Sequence, residues 1–448
     1  MYFSMARNTR VTPAPGPQGR ALTQSVQRLQ RQMLAELLAL HQQFGDVVQL
    51  SIWPHPLYLI SHPDAIQHIL RDNASNYRKG ALFRQIAALQ GQGLLTSEGA
   101  LWRRQRRLAQ PAFRQQYLVL FGSIMQEEAQ SVVRRWRQAA HTSAPVEVTA
   151  WMHRLTFRVV GRALLGLTPE ALDDLGRQLQ AVGRQLFPYL APHLRRTWTL
   201  PAWIPTPGRQ RFRRAIATYN AIAQQVITMR RQVLQHNHTA STDLLALLIT
   251  ADHDDTGEGI TEQQLRDEVI TFIGAGVETS AQALSWTWYL LACYPEVAQK
   301  VQAELEAVIG TRPPTPEDLP YLLYCRMVLD ETLRLYPPAA ILPRQANAAD
   351  AIGGYAIPKN AVMLMSQYVT HRHPAFWPEP EHFCPERFTP PQTAARPVRR
   401  THRRHAARPW CVRPSGRRAR PVARRAGKAI RSNRIRASAR ERRFRCDT

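Results

Sequence analysis

Glu278 and Thr279 stand side by side at the end of Gly274-Ala275-Gly276-Val277-Glu278-Thr279, a run set in otherwise good helix-forming sequence. Each glycine costs a helix about 1 kcal/mol relative to alanine, so the run calls for a justification. Missing side chains let a flat cofactor or small ligand lie against the backbone, and the Thr279 hydroxyl can turn onto a preceding carbonyl and open a groove. Glu278 adds a carboxylate able to hold or pass a proton. A glycine pair that simply packs two helices, beside a surface acid, fits the same letters.

Glu331 and Arg334 lie one helical turn apart, a spacing that alone describes an exposed ion pair worth tenths of a kcal/mol. Downstream, Arg387 in Pro385-Glu386-Arg387-Phe388 offers a second guanidinium, and a Glu-Arg-Arg network of bidentate geometry would be a structural lock. Trp102 and Arg106 share a helix face at i, i+4, which suits a carboxylate ligand. A solvated basic helix or a nucleic-acid patch also fits. Arg344, after Pro343, is a further candidate partner for such a carboxylate.

These residues need elements to carry them. Thr261 followed by Gln264 is a capping-box start, and the helix it opens runs to Cys293, long enough to cross a whole domain. A helix after Pro295 ends at Gly310, and another after Pro320 stops at Tyr336-Pro337-Pro338. Leu22 to Phe44 reads as one opening helix; Val47–Trp53 and Tyr58–Ile60 read as a hairpin. Gly353 to Val362 reads as strand, turn, strand, with Asn360 able to take the left-handed position. The chain is therefore mainly α. Trp198 to Pro207, rich in Trp and Pro, is either a segment near a substrate entrance or an ordinary inter-helix joint.

The formal charge of +26 sits mostly at one end. Residues 391–448 hold 20 Lys and Arg against Glu441 and Asp447, a net +18, which leaves the preceding residues at +8. The body is thus enzyme-like rather than nucleic-acid-like in charge. Five scattered cysteines, Cys293, Cys325, Cys384, Cys411 and Cys446, make neither a disulfide framework nor a zinc site. With a polar, Pro-rich N-terminus and no apolar run of membrane-spanning length, the expectation is a soluble, cytoplasmic protein.

Taken in order, Gly99-x-x-Trp102-x-x-x-Arg106-Arg107, Ala275-Gly276-Val277-Glu278-Thr279-Ser280, Glu331-x-x-Arg334, and His373-Pro374 leading to Pro385-Glu386-Arg387-Phe388 resemble the cytochrome P-450 family over roughly the first 390 residues. The resemblance implies a helical prism with small β-sheets, haem b beside the long helix, and insertion of one oxygen atom from O2 into a small apolar substrate. By that carry-over Glu278 and Thr279, in the groove from Ala275 and Gly276, relay protons. Trp102, Arg106 and Arg344 hold the haem propionates, while Glu331, Arg334 and Arg387 keep the proximal side folded. Electrons would come from NAD(P)H through a reductase and a ferredoxin or flavodoxin, as in bacterial soluble members.

The resemblance stops short of that family's metal ligand, a cysteine in F-x-x-G-x-R-x-C-x-G. Cys411 stands at a suitable distance after Phe388, but the surrounding motif positions are Arg404, Ala407, Pro409 and Arg413. From about Ala394 acids almost vanish and helical period stops. The expected organisation is an irregular N-terminus at 1–20, a family domain at 21–390 lacking its haem loop, and an Arg-rich, disordered or out-of-frame tail at 391–448. The alternative is a non-enzymatic remnant whose tail binds polyanions.

Overall fold

The computed structural model describes residues 12–389 apart from 53, 143, 180, 183–206, 237–242 and 251–259. These residues fall in one compact unit. Of the sequence features above, most of the Trp198–Pro207 segment, Cys411, Cys446 and the 391–448 tail lie outside the described residues.

The opening segment departs from expectation. In place of one helix there are two, α1 (Gly19–Arg31) and α2 (Met33–Phe44), broken at Gln32, which takes φ −139° and ψ 60°. No helix breaker marks the joint. An ion pair across it, Arg28 Nε to Glu36 Oε2 at 2.6 Å, holds the two pieces in their bent arrangement. Next come strands β1 (Val47–Leu50) and β2 (Leu57–Ile60), antiparallel as the alternation predicts, and short α3 (Pro63–Gln67).

A five-stranded sheet grows from that hairpin in the order β1-β2-β7-β4-β3, with β3 at Tyr77–Arg78, β4 at Ile341–Ala346 and β7 at Val362–Ser366. Strands β5 (Asp350–Ile352) and β6 (Tyr355–Ile357) form a separate hairpin. Asn360 takes the left-handed conformation at φ 65°, as its turn position requires. Pairing of Tyr77 with Ala346 and Arg78 with Gln345 brings the segment around Lys79 alongside Arg344, residues far apart in sequence.

Helices make up the rest: α4 (Gly80–Gln90), α5 (Gly99–Ala109), α6 (Gln115–His141), α7 (Val148–Ala163), α8 (Pro207–His236), α9 (Leu244–Ile249), α10 (Glu262–Cys293), α11 (Pro295–Val308), α12 (Leu323–Leu335) and α13 (Gln367–Thr370). The α10 capping box is formed: Gln264 N donates to Thr261 Oγ1 at 3.2 Å and Thr261 N to Gln264 Oε1 at 3.0 Å. Leu265, Val269, Ile270 and Ile273 of α10 sit in the largest core cluster with Val160 and Ala163 of α7 and Ile222 and Val226 of α8. The long helix therefore runs through the middle, as its length implies. No helix among the described residues is long and apolar enough to cross a membrane.

Candidate active site

Of the two readings left open for the α10 glycines, the close approaches there fit helix packing. A Cβ at Gly274 would come 2.8 Å from Gln90 Nε2 of α4, and one at Gly276 would come 3.0 Å from Val160 Cγ2 of α7. Room lies instead on the face bearing Ala275 and Thr279, both exposed although α10 is central. The Thr279 hydroxyl donates to the Ala275 carbonyl at 2.7 Å, the local bond anticipated from sequence. Two turns further along the same face, Trp286 is 38% and Tyr289 48% exposed, with Trp286 stacked on Tyr336 at 4.0 Å between ring centroids. Large aromatic side chains exposed on a core helix mark a surface shaped for something to lie against.

Glu278 points elsewhere, toward α7. His153 Nε2 lies 2.9 Å from its Oε2, and Gln282 Nε2 donates to its Oε1 at 2.6 Å. One turn along α7, the Thr156 hydroxyl reaches the Val277 carbonyl at 3.2 Å. Neither partner was evident from sequence, because α7 lies more than a hundred residues away and its His153 is in no recognisable motif.

Near the N-terminal end of α5, an open cavity of about 320 Å³ is lined by Tyr77, Lys79, Ser97, Trp102, Arg103 and Arg344 among others. Trp102 and Arg106 share a face as expected, the guanidinium carbon 5.3 Å from the indole centroid, but it is Arg103 rather than Arg106 that lines the cavity. Lys79, which sequence reasoning missed, supplies a further cation. Burial, and after it the neighbouring Arg344 charge, pull it down to about 8 against the opposing pull of Glu98 and Glu268. Its ammonium donates to the carbonyls of Leu95 and Ser97 at 2.7 Å and of Leu94 at 3.2 Å. Arg344 is lowered by burial too, since a poorly solvated guanidinium favours losing its charge. Two cations crowded into one partly dry cavity are relieved by an anion. The signal that could have found Lys79 is rarity: only Lys79, Lys300 and Lys359 precede the tail.

The segment after α4 fastens this cavity to α10. Gly91, at φ +69°, packs where a Cβ would lie 2.1 Å from Asp267 Cγ, and one at Gly93 would lie 2.1 Å from Thr271 Oγ1. Asp267 Oδ2 accepts from Gln92 N at 2.7 Å and Glu268 Oε2 from Leu94 N at 3.2 Å. Burial, with the Asp267 charge helping, raises Glu268 to about 7 against the Leu94 N–H and Lys79, which oppose it.

Glu331 and Arg334 are 0% and 1% exposed, so the surface-pair reading of their spacing does not hold. Their contact is bidentate, Nε to Oε2 at 2.7 Å and Nη2 to Oε1 at 2.8 Å. Arg387 Nε approaches Glu331 Oε1 at 3.5 Å, and Cys384 N donates to that oxygen at 3.0 Å. Arg334 also donates to the carbonyls of Pro380, His371 and His382 at 2.6, 3.0 and 3.1 Å, tying α12 to the segment that follows α13. The network is a buried tie in which the Arg334 donors are satisfied.

None of the described cysteines is suited to be a thiolate ligand on the open α10 face. Cys293 sits exposed at the helix end. Burial and the Glu304 carboxylate push Cys325 up to about 12. The Cys384 sulfur is engaged with Glu386 Oε2 at 3.7 Å. Among the described residues one trio, His41, Asp46 and His373, is spaced to hold a metal ion. His373 Nδ1 accepts the Ala375 N–H at 3.1 Å, so the ring proton is on Nε2, directed at Asp46 Oδ1 at 3.0 Å. That leaves no lone pair for an ion.

The family model "Cytochrome P-450" matches residues 13–406. Cyclooctatin synthase of Streptomyces melanosporofaciens is 34% identical over 395 residues, covering 86% of this chain and 81% of its own. From the same organism, cyclooctat-9-en-7-ol 5-monooxygenase is 32% identical over 368 residues, covering 82% and 76%. Among solved structures, the cytochrome P-450DA haem domain superposes with a TM-score of 0.74 at 26% identity, covering 86% of this chain and 84% of that one. A mainly helical fold with small sheets is what this chain has in common with that structure. The chain belongs to the cytochrome P-450 family.

Proposed function

We propose that this chain is a haem-dependent monooxygenase by descent, acting on an apolar, terpene-like organic substrate, and that it carries the activity in impaired form. The observation that carries the reading is the exposed Ala275–Thr279–Trp286–Tyr289 face of α10 in a chain that also has a cationic cavity lined by Lys79, Trp102 and Arg344. A flat, apolar group with anionic edges suits that arrangement, so these residues fit haem b. Relatives named for cyclooctat-9-en-7-ol and pentalenene support the substrate class.

On this reading Trp102 and Arg344 hold the propionates, Lys79, its donors taken by the Leu94, Leu95 and Ser97 carbonyls, adds positive charge beside them, and Arg106 supports Trp102 by stacking on its ring. Thr279 and the Ala275 carbonyl form the oxygen-side groove, Gly276 lets α7 approach, and Glu278 is the acid next to Thr279 in sequence, held toward α7 by His153 and Gln282. Glu331, Arg334 and Arg387 keep the opposite side in register. Haem, when bound, supplies oxygen activation, and a cysteine thiolate is the ligand the family uses for it. That part does not fit: Cys411 lacks the surrounding loop residues, and the impairment follows. Electrons from NAD(P)H would arrive through a ferredoxin or flavodoxin and its reductase, in the cytoplasm.

Haemin titration of the full chain tests this reading. Saturable uptake is expected, weakened about tenfold by Arg344→Gln, a change of about 1.4 kcal/mol. Absence of saturable uptake would overturn it. A second reading concerns residues 391–448, whose net charge of +18 suits a polyanion. Nucleic-acid affinity that falls steeply with salt and vanishes on deleting those residues would favour it.

A further inference from the structure

His153 has an acceptor on each side of its ring. Nδ1 lies 2.9 Å from the Thr149 carbonyl, which can only accept, so Nδ1 carries a proton. Nε2 lies 2.9 Å from Glu278 Oε2. An unprotonated Nε2 facing an ionised carboxylate would set two lone pairs against each other at hydrogen-bond distance. One proton must therefore lie between these two atoms, on the imidazole or on the carboxyl. The Gln282 amide donating to the other Glu278 oxygen favours the carboxylate and so places that proton on His153.

From this geometry we infer that His153 is the positioning residue for Glu278, and that the two form a couple holding one proton beside Thr279. The couple lies where α7 and α10 pack most intimately: His153, Thr156 and Val160 form one stripe of α7, against Glu278, Val277 and Gly276 of α10. Nearby charges are already committed to one another. Arg154 and Arg158 bind Asp173 at 3.0 and 2.8 Å, and Arg158 and Arg162 bind Glu128 of α6 at 2.6 and 2.8 Å. Neither member of the couple is deeply buried, at 34% and 43% side-chain exposure, so water can recharge it. In transfer, the Nε2–H bond of His153 breaks as an O–H bond forms on Glu278 Oε2. The imidazolium–carboxylate pair becomes a neutral pair; onward delivery requires the Glu278 side chain to turn from His153 and Gln282 toward Thr279 and give its proton up there, after which a proton from bulk water restores the imidazolium. No electrons move. The relay role rests on the monooxygenase reading; the proton count does not.

The test is imidazole nitrogen NMR on the full chain labelled with ¹⁵N-histidine, with His153→Gln assigning the resonances and the Glu278 carboxyl followed by ¹³C. At neutral pH the expected result is one proton between the partners, most simply two protonated ring nitrogens beside an ionised carboxyl. Glu278→Gln should remove one of the two ring N–H signals. In His153→Gln, which keeps a donor but cannot hold an exchangeable charge, the Glu278 carbon should lose the titration it shares with the ring. A bare Nε2 facing an ionised carboxylate, or a ring spectrum unchanged by Glu278→Gln, would overturn the inference. These signals are read without haem, so failure of the haemin titration and failure of the couple are separately visible.

Discussion

At the scale of single residues, chemistry followed burial more than motif. Glu331 and Arg334 have the letters of a surface pair, yet both are buried and satisfied. Removing one partner leaves an uncompensated charge in the interior. Glu331→Gln should therefore lower unfolding free energy by about 3–5 kcal/mol in urea titration; a loss near the tenths expected of an exposed pair would show that the tie is not formed. Glu268 gives a pH signature. Its folded value, raised to about 7 from 4.5, means that the folded chain holds a proton that the unfolded chain releases. The stability this contributes is complete below about 4.5 and is lost as pH rises through about 7. Glu268→Gln removes that loss, so the stability of the variant relative to the parent should climb from about pH 5 to pH 7, by up to roughly 3 kcal/mol. Lys79 acts in the next window with the opposite sense: lowered to about 8 from 10.5, it adds stability as pH rises between those values. A flat difference between parent and Glu268→Gln would mean the carboxyl is solvated.

Among the elements, the long helix was the most legible, because its capping box and terminal residue are local signals; observed bounds of Glu262–Cys293 match them. Thr261→Ala should cost about 1 kcal/mol, seen as faster amide exchange in the first turn of α10. What the sequence could not show was which helix face met which neighbour. The α1–α2 break at Gln32 has no Gly or Pro to announce it, and α7 reaches Glu278 only through tertiary packing. The glycines of α10 were legible as unusual but not in purpose, since a packing glycine and a ligand-facing glycine look alike until the partner is placed. Gly91 shows the difference in energy. Its left-handed backbone and its close approach to Asp267 mean that Gly91→Ala should destabilise by about 2–4 kcal/mol, measured by thermal unfolding, whereas a loss under about 1 kcal/mol would contradict the observed approach.

For the molecule as a whole, family and architecture were readable because four motifs occur in one order, and order survives where individual spacings are ambiguous. The cationic cavity was only half readable: Trp102 and Arg344 were found, but Lys79 joins them through the β3–β4 pairing, a contact between residues more than 260 apart. The charge imbalance between the body and residues 391–448 was plain from composition alone. Two parts of one account meet here, a body with the family's fold and an open face on its long helix, and residues 391–448 without the family's cysteine loop. The reduced, carbon-monoxide difference spectrum decides between outcomes most directly, recorded on the haem-treated full chain and on the same chain with a family-type F-x-x-G-x-R-x-C-x-G loop in place of the tail. The account predicts no thiolate-type Soret band from the chain as it stands and its appearance when the loop is supplied. A thiolate band from the unaltered chain, with Cys411 as ligand, would contradict it, and so would a repaired chain that still shows none.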